Sequence, residues 1–544
     1  MTPVRQVSIS VISLLMTFLL ASCDSTSPSS ANLIVSTSGG LVQGTAVPAK
    51  EGVVVYKGIP YVAPPVGNNR WRAPQPVEPW AGVRDATAYA PDCYQTNSVE
   101  NIQGSGRPEA EDCLYLNVWT SPEQNTKKPV MVWIHGGGFI IGSGSEPRTD
   151  GANFAASGVV LVTINYRLGP FGFLAHPALT RESEYGSSGN YGLLDQIAAL
   201  QWVKENIASF GGDPSNITIF GESAGAMSVC YLNATPLANG LFHKTIAQSG
   251  GCFAPHPTLT SNKNVLSYDA PIVDQVIGSG YEIGMEIAET LGVSGDGAAA
   301  LEDLREIDAG ELVRTLKKEK KTIYWRSVFV DDYVFPEQMQ SFMTSGQSEK
   351  RDVLIGFNSE EGANLWASQT ELDHESWLSY VAEKRPELTE QFLAAYGRDA
   401  GQSTRFAIQN LHADHMFGWD MRTWARLTEA NGANAFVYVF EHPAPLPQVG
   451  RSLGSPHGSD VNFVFGNPDP ELWEEIDYRV SKTLMSYWVN FAKTGDPNGA
   501  GLPVWPSYKS SDEAFLEINN TPRVLHHYQK AKFDAYDALF SLSP

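Results

Sequence analysis

The chain has 544 residues, of which 42% are hydrophobic and 18% are charged, and its formal net charge at pH 7 is −22. So strong a negative charge argues against nucleic acid as a partner. The sequence contains no Gly-rich phosphate loop and no Cys/His zinc spacing, so we expect neither a cofactor nor a metal. His412 and His415 have a spacing found in some metal sites, but no third ligand pattern accompanies them.

The beginning of the chain has the features of an export signal. A positive charge at Arg5 is followed by an apolar run that is short for a membrane span. Residues 20–23 read Leu-Ala-Ser-Cys, which resembles the site where bacterial lipoproteins are cut before an acylated cysteine. We therefore expect a signal peptide over residues 1–22, a lipid anchor on Cys23 in a bacterial membrane, and a polar tether over residues 23–32. An ordinary secretory signal with a chance cysteine is the alternative.

A glycine-rich loop follows a predicted buried strand. The strand covers residues 129–134, and His-Gly-Gly-Gly-Phe follows at 135–139. Three consecutive glycines let the backbone turn its N–H groups toward a ligand without Cβ clashes. Loops of this kind stabilise the oxyanion in lipases and esterases. We expect the N–H groups of Gly137, Gly138 and Ala224 to be the donors. Considered alone, the motif could also be a flexible loop.

The most informative segment begins with Ile-Thr-Ile-Phe at 217–220, which leads directly into Gly-x-Ser-x-Gly at 221–225. Small residues able to begin a helix follow. The order of strand, sharp turn and helix is that of a nucleophile elbow, and it predicts Ser223 as a nucleophile. The same pattern recurs around Ser452. There it follows a Pro-rich stretch with no strand before it, so we assign no nucleophile to that position.

An acid and a base should follow the serine, in that order, if the fold is an α/β-hydrolase. A predicted strand over 352–357 precedes Glu360 and Glu361, and either carboxylate could serve on chemical grounds. An Asp-Asp pair at 331–332 also follows an apolar run, and we expect it to be structural. Among the later histidines, His457 lies in a turn-rich loop from which a mobile imidazole could reach the serine.

The domain organisation follows from the spread of these motifs. Length alone would suggest three or four domains, but the triad candidates are far apart in the chain and must converge. We therefore expect a single catalytic domain over residues 33–544. It should have an α/β-hydrolase fold, with a central, mostly parallel sheet flanked by helices and with long insertions. Further core strands are predicted at 243–249 and 435–440, and a packed helix at 476–493.

Together these residues resemble the type-B carboxylesterase/lipase family, which includes the cholinesterases. The resemblance extends from about residue 39 to residue 466 and implies a serine hydrolase that cleaves small-molecule carboxylic esters through an acyl-enzyme. The other motifs that carry it are Gly-Ile-Pro-Tyr at 58–61, Glu-Asp-Cys-Leu-Tyr-Leu-Asn at 111–117, Asn-Tyr-Arg-Leu-Gly at 165–169, Asn-Tyr-Gly-Leu-Leu-Asp-Gln at 190–196 and Phe-Gly-Gly-Asp-Pro at 210–214.

The resemblance also implies roles for individual residues. The family's acid directly precedes a glycine, which implies Glu361 rather than Glu360. Its catalytic histidine precedes a glycine and a downstream Phe-Val-Phe-Gly, as His457 does. Glu222 and Ser249 match positions that surround the triad and support it without belonging to it.

Disulfides are permitted in an exported chain, and the four cysteines after the expected lipidation site allow three pairings. The resemblance implies a bridge between Cys93 and Cys113 that closes a loop at the rim of the active-site gorge. Cys230 and Cys252 could pair, or they could remain two buried free thiols.

One departure from the family concerns the substrate. In cholinesterases a tryptophan between the first two cysteines binds the quaternary ammonium, but residues 94–112 contain no tryptophan. Since this cation–π platform is missing, we expect neutral esters of short or medium acids, or aromatic esters. The alternatives are a long-chain lipase, a feruloyl- or tannin-type esterase and a carbamate hydrolase. A non-catalytic surface binding protein, like the neuroligin-type relatives, would lack the nucleophile, whereas Ser223 is present.

Overall fold

The computed structural model describes residues 33–95, 105–121, 127–261, 278–321, 328–446, 450–451 and 454–541. The expected signal peptide and tether, Cys23 and Ser452 therefore lie outside the described residues. Within the described ranges, no helix is both long enough and apolar enough to cross a bilayer.

The described strands form one large mixed sheet and three small ones. In chain order they are β1 (Ile34–Thr37), β2 (Gly40–Gln43), β3 (Thr45–Ala46), β4 (Val54–Pro60), β5 (Val83–Asp85), β6 (Asp92–Cys93), β7 (Glu109–Ala110), β8 (Tyr115–Thr120), β9 (Lys128–Ile134), β10 (Val160–Ile164), β11 (Gly212–Glu222), β12 (Lys244–Gln248), β13 (Asp352–Asn358), β14 (Ala435–Phe440), β15 (Pro445–Leu446), β16 (Gly450–Arg451), β17 (Ala514–Ile518) and β18 (Arg523–His526).

The large sheet has the strand order β18-β17-β14-β13-β12-β11-β9-β10-β8-β4-β3 among the described residues. Every pairing from β10 to β17 is parallel, whereas β8, β4, β3 and β18 pair antiparallel at the two edges. The central, mostly parallel sheet expected from the sequence is therefore confirmed. The predicted strands at 129–134, 243–249, 352–357 and 435–440 correspond to β9, β12, β13 and β14.

The helices cover both faces of this sheet. They are α1 (Ala152–Ala156), α2 (Gly169–Phe173), α3 (Pro177–Glu182), α4 (Tyr191–Asn206), α5 (Ala224–Asn233), α6 (Gly280–Thr290), α7 (Ala298–Glu306), α8 (Ala309–Lys318), α9 (Met339–Thr344), α10 (Gly362–Leu365), α11 (His374–Lys384), α12 (Thr389–Gln402), α13 (Thr404–Ala413), α14 (Trp419–Ala430), α15 (Asp460–Phe465), α16 (Glu475–Thr494) and α17 (Lys530–Ser541), with a π-helix over Asp414–Gly418 between α13 and α14.

The composition of β9 shows why both faces are covered. Successive side chains of a strand point to opposite faces, and those of β9 are apolar on both. Val130 and Val132 belong to the core beneath α4 and α5, whereas Met131 and Trp133 belong to the core beneath α15 and α16. A strand that is apolar on both faces needs a helix layer on each side, as parallel sheets have.

The topology brings the sequence motifs to one edge of the sheet. β9, β11 and β13 are parallel, and they end at Ile134, Glu222 and Asn358. Ligands of open α/β sheets bind outside the carboxyl ends of the strands. The residues that follow these three strands are the glycine loop, the turn that contains Ser223, and the Glu360–Glu361 pair.

Candidate active site

Ser223 occupies the sharp turn between β11 and α5. Its φ and ψ are 56° and −125°, an unusual conformation for a residue with a side chain. Two hydrogen bonds hold the turn: the Ser223 N–H donates to Gln248 O at 2.9 Å, and the Met227 N–H donates to Ser223 O at 2.9 Å. Position 225 must be glycine for steric reasons, because a Cβ there would lie 2.0 Å from Ile134 O. The local geometry is therefore that of a nucleophile elbow.

The glycine loop lies against this turn. A Cβ at Gly136 would lie 3.1 Å from Ser223 Cβ and 2.6 Å from Glu222 O, so only glycine allows the close approach. The next two residues, Gly137 and Gly138, adopt φ of 99° and 63°. Their N–H groups have no acceptor among the described residues. Since Ala224 is the first residue of α5, its N–H has no partner within the helix either. At this turn, three backbone donors therefore have no acceptor within the described part of the chain.

His135, which begins the loop, has a structural role. Its ring stacks on Tyr166 with 4.4 Å between centroids, and its Nδ1 lies 2.9 Å from Gly136 O. Complete burial lowers the pKa of His135 to about 4, so the imidazole is neutral. The ring packs beneath the loop.

Glu361 contacts His457. The distance between Glu361 Oε2 and His457 Nδ1 is 2.5 Å, and Glu361 Oε1 accepts a hydrogen bond from the Asn358 N–H at 2.6 Å. Glu360 faces elsewhere, since its carboxylate lies beside Gly454. Of the two glutamates that chemistry alone left open, Glu361 is the one beside the histidine.

The other nitrogen of His457 faces a second carboxylate. His457 Nε2 lies 3.2 Å from Glu222 Oε1, and within the described residues no hydrogen bond joins it to Ser223 Oγ. Catalytic hydrogen bonds are often long or poorly aligned before substrate binds. Burial alone would lower the pKa of His457, but Glu222 and Glu361 raise it to about 9. Burial raises the pKa of Glu222 to about 7, although His457 opposes this rise.

Two further neighbours of this site were not identified from the sequence. Phe417 stacks on the His457 ring with 4.8 Å between centroids, and it lies in the π-helix. Such irregular turns are frequent at functional sites. Asp460 is completely buried and accepts hydrogen bonds from Gln248 Nε2 at 2.9 Å and Tyr438 Oη at 2.8 Å. Its position three residues after His457 was visible in the sequence, but its partners come from distant strands.

Ser249 makes no hydrogen bond to Ser223, His457 or Glu361 among the described residues. Its N–H donates to Gly356 O at 2.7 Å, and its buried Oγ has no hydrogen-bond partner among the described residues. Asp331 accepts hydrogen bonds from the N–H groups of Val334 and Phe335, each at 2.9 Å, which is a structural role. Within the described part of the chain, no group of three or more His, Cys, Asp or Glu residues could hold a metal ion.

Both cysteine pairs are bonded. Cys93 is joined to Cys113, with a Cα–Cα distance of 5.0 Å, and Cys230 is joined to Cys252, with a Cα–Cα distance of 5.8 Å. The second bridge ties α5, directly behind the elbow, to the segment after β12. Disulfides persist in oxidising compartments, so the two bridges suit an extracellular or exported protein.

An elbow serine, a glycine loop with free N–H groups and a Glu–His pair at the carboxyl edge of a parallel sheet define a serine hydrolase of the α/β-hydrolase fold. The model of the carboxylesterase family matches residues 31–536, and the chain belongs to that family. It is a serine hydrolase of carboxylic esters.

Three similar proteins illustrate the relationship. The para-nitrobenzyl esterase of Bacillus subtilis is 36% identical over 499 residues, which cover 90% of this chain and 95% of that protein. The fumonisin B1 esterase of Sphingopyxis macrogoltabida is 34% identical over 491 residues, which cover 87% of this chain and 84% of that protein. The solved structure of a Geobacillus stearothermophilus carboxylesterase superposes with a TM-score of 0.77 at 33% identity, covering 93% and 100% of the two chains.

Proposed function

We propose that Ser223, His457 and Glu361 are the catalytic triad of this esterase. The observation that carries the proposal is the 2.5 Å contact between His457 Nδ1 and Glu361 Oε2 at the edge of the sheet where Ser223 occupies the elbow. An acid that holds one imidazole nitrogen leaves the other free to act as a base.

The reaction proceeds in two halves. His457 Nε2 takes the proton of Ser223 Oγ, which attacks the ester carbonyl carbon, and the N–H groups of Gly137, Gly138 and Ala224 stabilise the resulting oxyanion. The alcohol leaves with the proton from His457. Water then attacks the acyl-enzyme by the same steps and releases the acid.

The first experiment compares Ser223→Ala with Ser452→Ala, using turnover of an activated ester such as a p-nitrophenyl ester. Ser223→Ala should abolish turnover, whereas Ser452→Ala, the other Gly-x-Ser-x-Gly serine, should retain it. If Ser223→Ala retained wild-type turnover, the triad assignment would be wrong. A well-folded wild-type protein without any turnover would favour the non-catalytic binding protein instead.

We propose neutral esters of short or medium acids, or aromatic esters, as the substrates. The absence of tryptophan from residues 94–112 supports this choice, because a cationic leaving group has no tryptophan platform there and Tyr94 is the one aromatic residue of the segment. The similar Bacillus protein is named for a para-nitrobenzyl ester, which is aromatic. Long-chain, feruloyl- or tannin-type esters and carbamates are the alternatives. Rates over a panel of acyl chain lengths and aromatic esters distinguish them.

We also propose that the mature chain begins at a lipid-modified Cys23 and that residues 33–544 form one catalytic domain. The Leu-Ala-Ser-Cys sequence supports the anchor, and the disulfides suit export. Cys23→Ala should abolish lipidation and block the cleavage that the lipoprotein peptidase makes before residue 23. Mass spectrometry that found cleavage elsewhere and no acyl group on Cys23 would contradict the anchor.

A further inference from the structure

A partly buried arginine lies close to Gly458, the residue that follows His457. Arg148 belongs to the 3-10 turn Pro147–Thr149, and its side chain is only 19% exposed. Its Nε donates to Glu146 Oε2 at 2.8 Å, and Glu146 itself is 4% exposed. A guanidinium has five N–H donors in a rigid fork. The bond to Glu146 therefore leaves the rest of the guanidinium to face other groups.

Gly458 lies next to both the guanidinium and Glu222. A Cβ placed on this glycine would lie 3.2 Å from Glu222 Oε1 and 3.8 Å from Arg148 Nη1. The arginine and the glutamate thus flank the same small residue, directly after His457. Gly458 has φ of 78° and no side chain, so this residue places no Cβ between the two charged groups.

Glu222 has few groups that could stabilise its charge. It is completely buried, and neither carboxylate oxygen has a hydrogen-bond partner among the described residues. A buried carboxylate without donors becomes protonated unless a cation is close. His457 and Arg148 are the cations that lower the pKa of Glu222, while Asp460 and Glu361 raise it, as burial does.

We propose that Arg148 is a positioning residue that keeps Glu222 ionised across Gly458, and that it thereby sets the pH at which His457 can act as a base. The proposal rests on the triad proposed above. An ionised Glu222 favours the imidazolium, which must form when Ser223 is deprotonated, but it also holds the proton on the resting His457. Arg148 determines how strongly Glu222 stabilises the imidazolium, because it determines how far Glu222 is ionised.

The test is the pH dependence of kcat/KM for a neutral ester. In Arg148→Met, Glu222 should become neutral and stop favouring the imidazolium, so the acidic limb should move to lower pH by about one unit or more. Arg148→Lys keeps a cation at this position and should leave the limb close to that of the wild type. In Arg148→Met, the carboxylate of Glu146 loses its arginine partner. The double variant Glu146→Gln/Arg148→Met removes that carboxylate as well, and its acidic limb should shift as in the single variant.

The Glu222→Gln background separates this mechanism from others. There Arg148→Met can act on His457 only directly, and loss of a nearby cation raises the pKa of a histidine. The acidic limb should therefore not move to lower pH. An unmoved limb in Arg148→Met, or the same downward shift in both backgrounds, would overturn the proposal. If Ser223→Ala remained active, the triad itself would be wrong; if Ser223→Ala were inactive and the limb did not move, only the role of Arg148 would be wrong.

Discussion

His457 Nε2 lies 3.2 Å from Glu222 Oε1, on the side of the imidazole opposite to Glu361. The ring is therefore held between two carboxylates, and both stabilise its protonated form. A general base must be neutral before it can accept the proton of a serine. The two carboxylates therefore favour the imidazolium that forms during the reaction, but they disfavour the neutral His457 that must be present before it. The balance between these two effects determines how activity should depend on pH.

The pH dependence should report this balance. Since the pKa of His457 is raised to about 9, kcat/KM for a neutral ester should rise with pH and level off only above that value. Glu222→Gln removes one carboxylate, so the pKa of His457 should fall and the acidic limb should move to lower pH. Asp352→Asn, at the far end of β13, is a control that should leave the limb in place. A limb unmoved by Glu222→Gln would contradict this reading of the site.

Adjacent glutamates provide a matched pair of variants. Glu361→Gln removes the carboxylate that contacts His457 Nδ1, so turnover should fall by about 10³ to 10⁴, as when the orienting carboxylate of other triads is lost. Glu360→Gln should change turnover little, because its carboxylate lies beside Gly454. Steady-state kinetics with one ester measures both. Equal losses, or the reverse order, would show that the acid is misassigned.

Phe417 should hold the imidazole of His457 in its catalytic orientation. Its stacked ring limits the rotation of His457, so Phe417→Leu should lower kcat by roughly 10- to 100-fold, the scale of a small misplacement of a reacting group. Phe392→Leu, in a buried aromatic contact with Tyr536, should lower thermal stability without a comparable loss of kcat. Similar kcat losses in both variants would mean that the loss reflects general destabilisation.

The elbow should tolerate no side chain at Gly225. A Cβ there would lie 2.0 Å from Ile134 O, so Gly225→Ala should destabilise the protein by about 1–3 kcal/mol or more and abolish turnover. Gly397, in the middle of α12, has open space around it. Gly397→Ala should leave stability unchanged or raise it by about 0.5–1 kcal/mol. Thermal denaturation measures both, and a stable, active Gly225→Ala protein would contradict the geometry.

Charge on the substrate should matter little beyond long-range attraction. The net charge of −22 attracts cations, but this attraction is screened beyond about 10 Å at ordinary salt. We expect a higher kcat/KM for 3,3-dimethylbutyl butyrate, the uncharged isostere, than for butyrylcholine. The comparison is made at two salt concentrations. A choline preference of about tenfold, equivalent to ~1.4 kcal/mol, that survives high salt would require a cation site elsewhere.

Local patterns made much of the fold predictable. A helix was predicted over residues 476–493, and α16 covers Glu475–Thr494 because a capping box at Glu474 and Asp477 begins it and Gly495 ends it. The elbow was also predictable, because Gly225 and Ser223 satisfy a short-range steric requirement. Parallel strand order then brings the residues after β9, β11 and β13 together.

Contacts between segments that are distant in the chain could not be predicted from local sequence patterns. Phe417 reaches His457 through a π-helix, and no sequence pattern indicated that irregular turn. Arg148 lies in a short turn after the glycine loop, and only the packing of that turn against α15 places it near Glu222. The pairing of Cys230 with Cys252 depends on which side of α5 faces the segment after β12, which composition does not specify.

The most direct measurement of the central claim is to trap the nucleophile as a covalent adduct, either a phosphonyl-enzyme or an acyl-enzyme. After reaction with a fluorophosphonate or a slowly deacylating ester, peptide mass spectrometry should locate one adduct, on Ser223, with loss of activity in proportion to labelling. The His457→Ala variant should label far more slowly, since the base is gone. An adduct on Ser452 or another residue, or full labelling of Ser223 without loss of turnover, would contradict the assignment of Ser223 as the nucleophile.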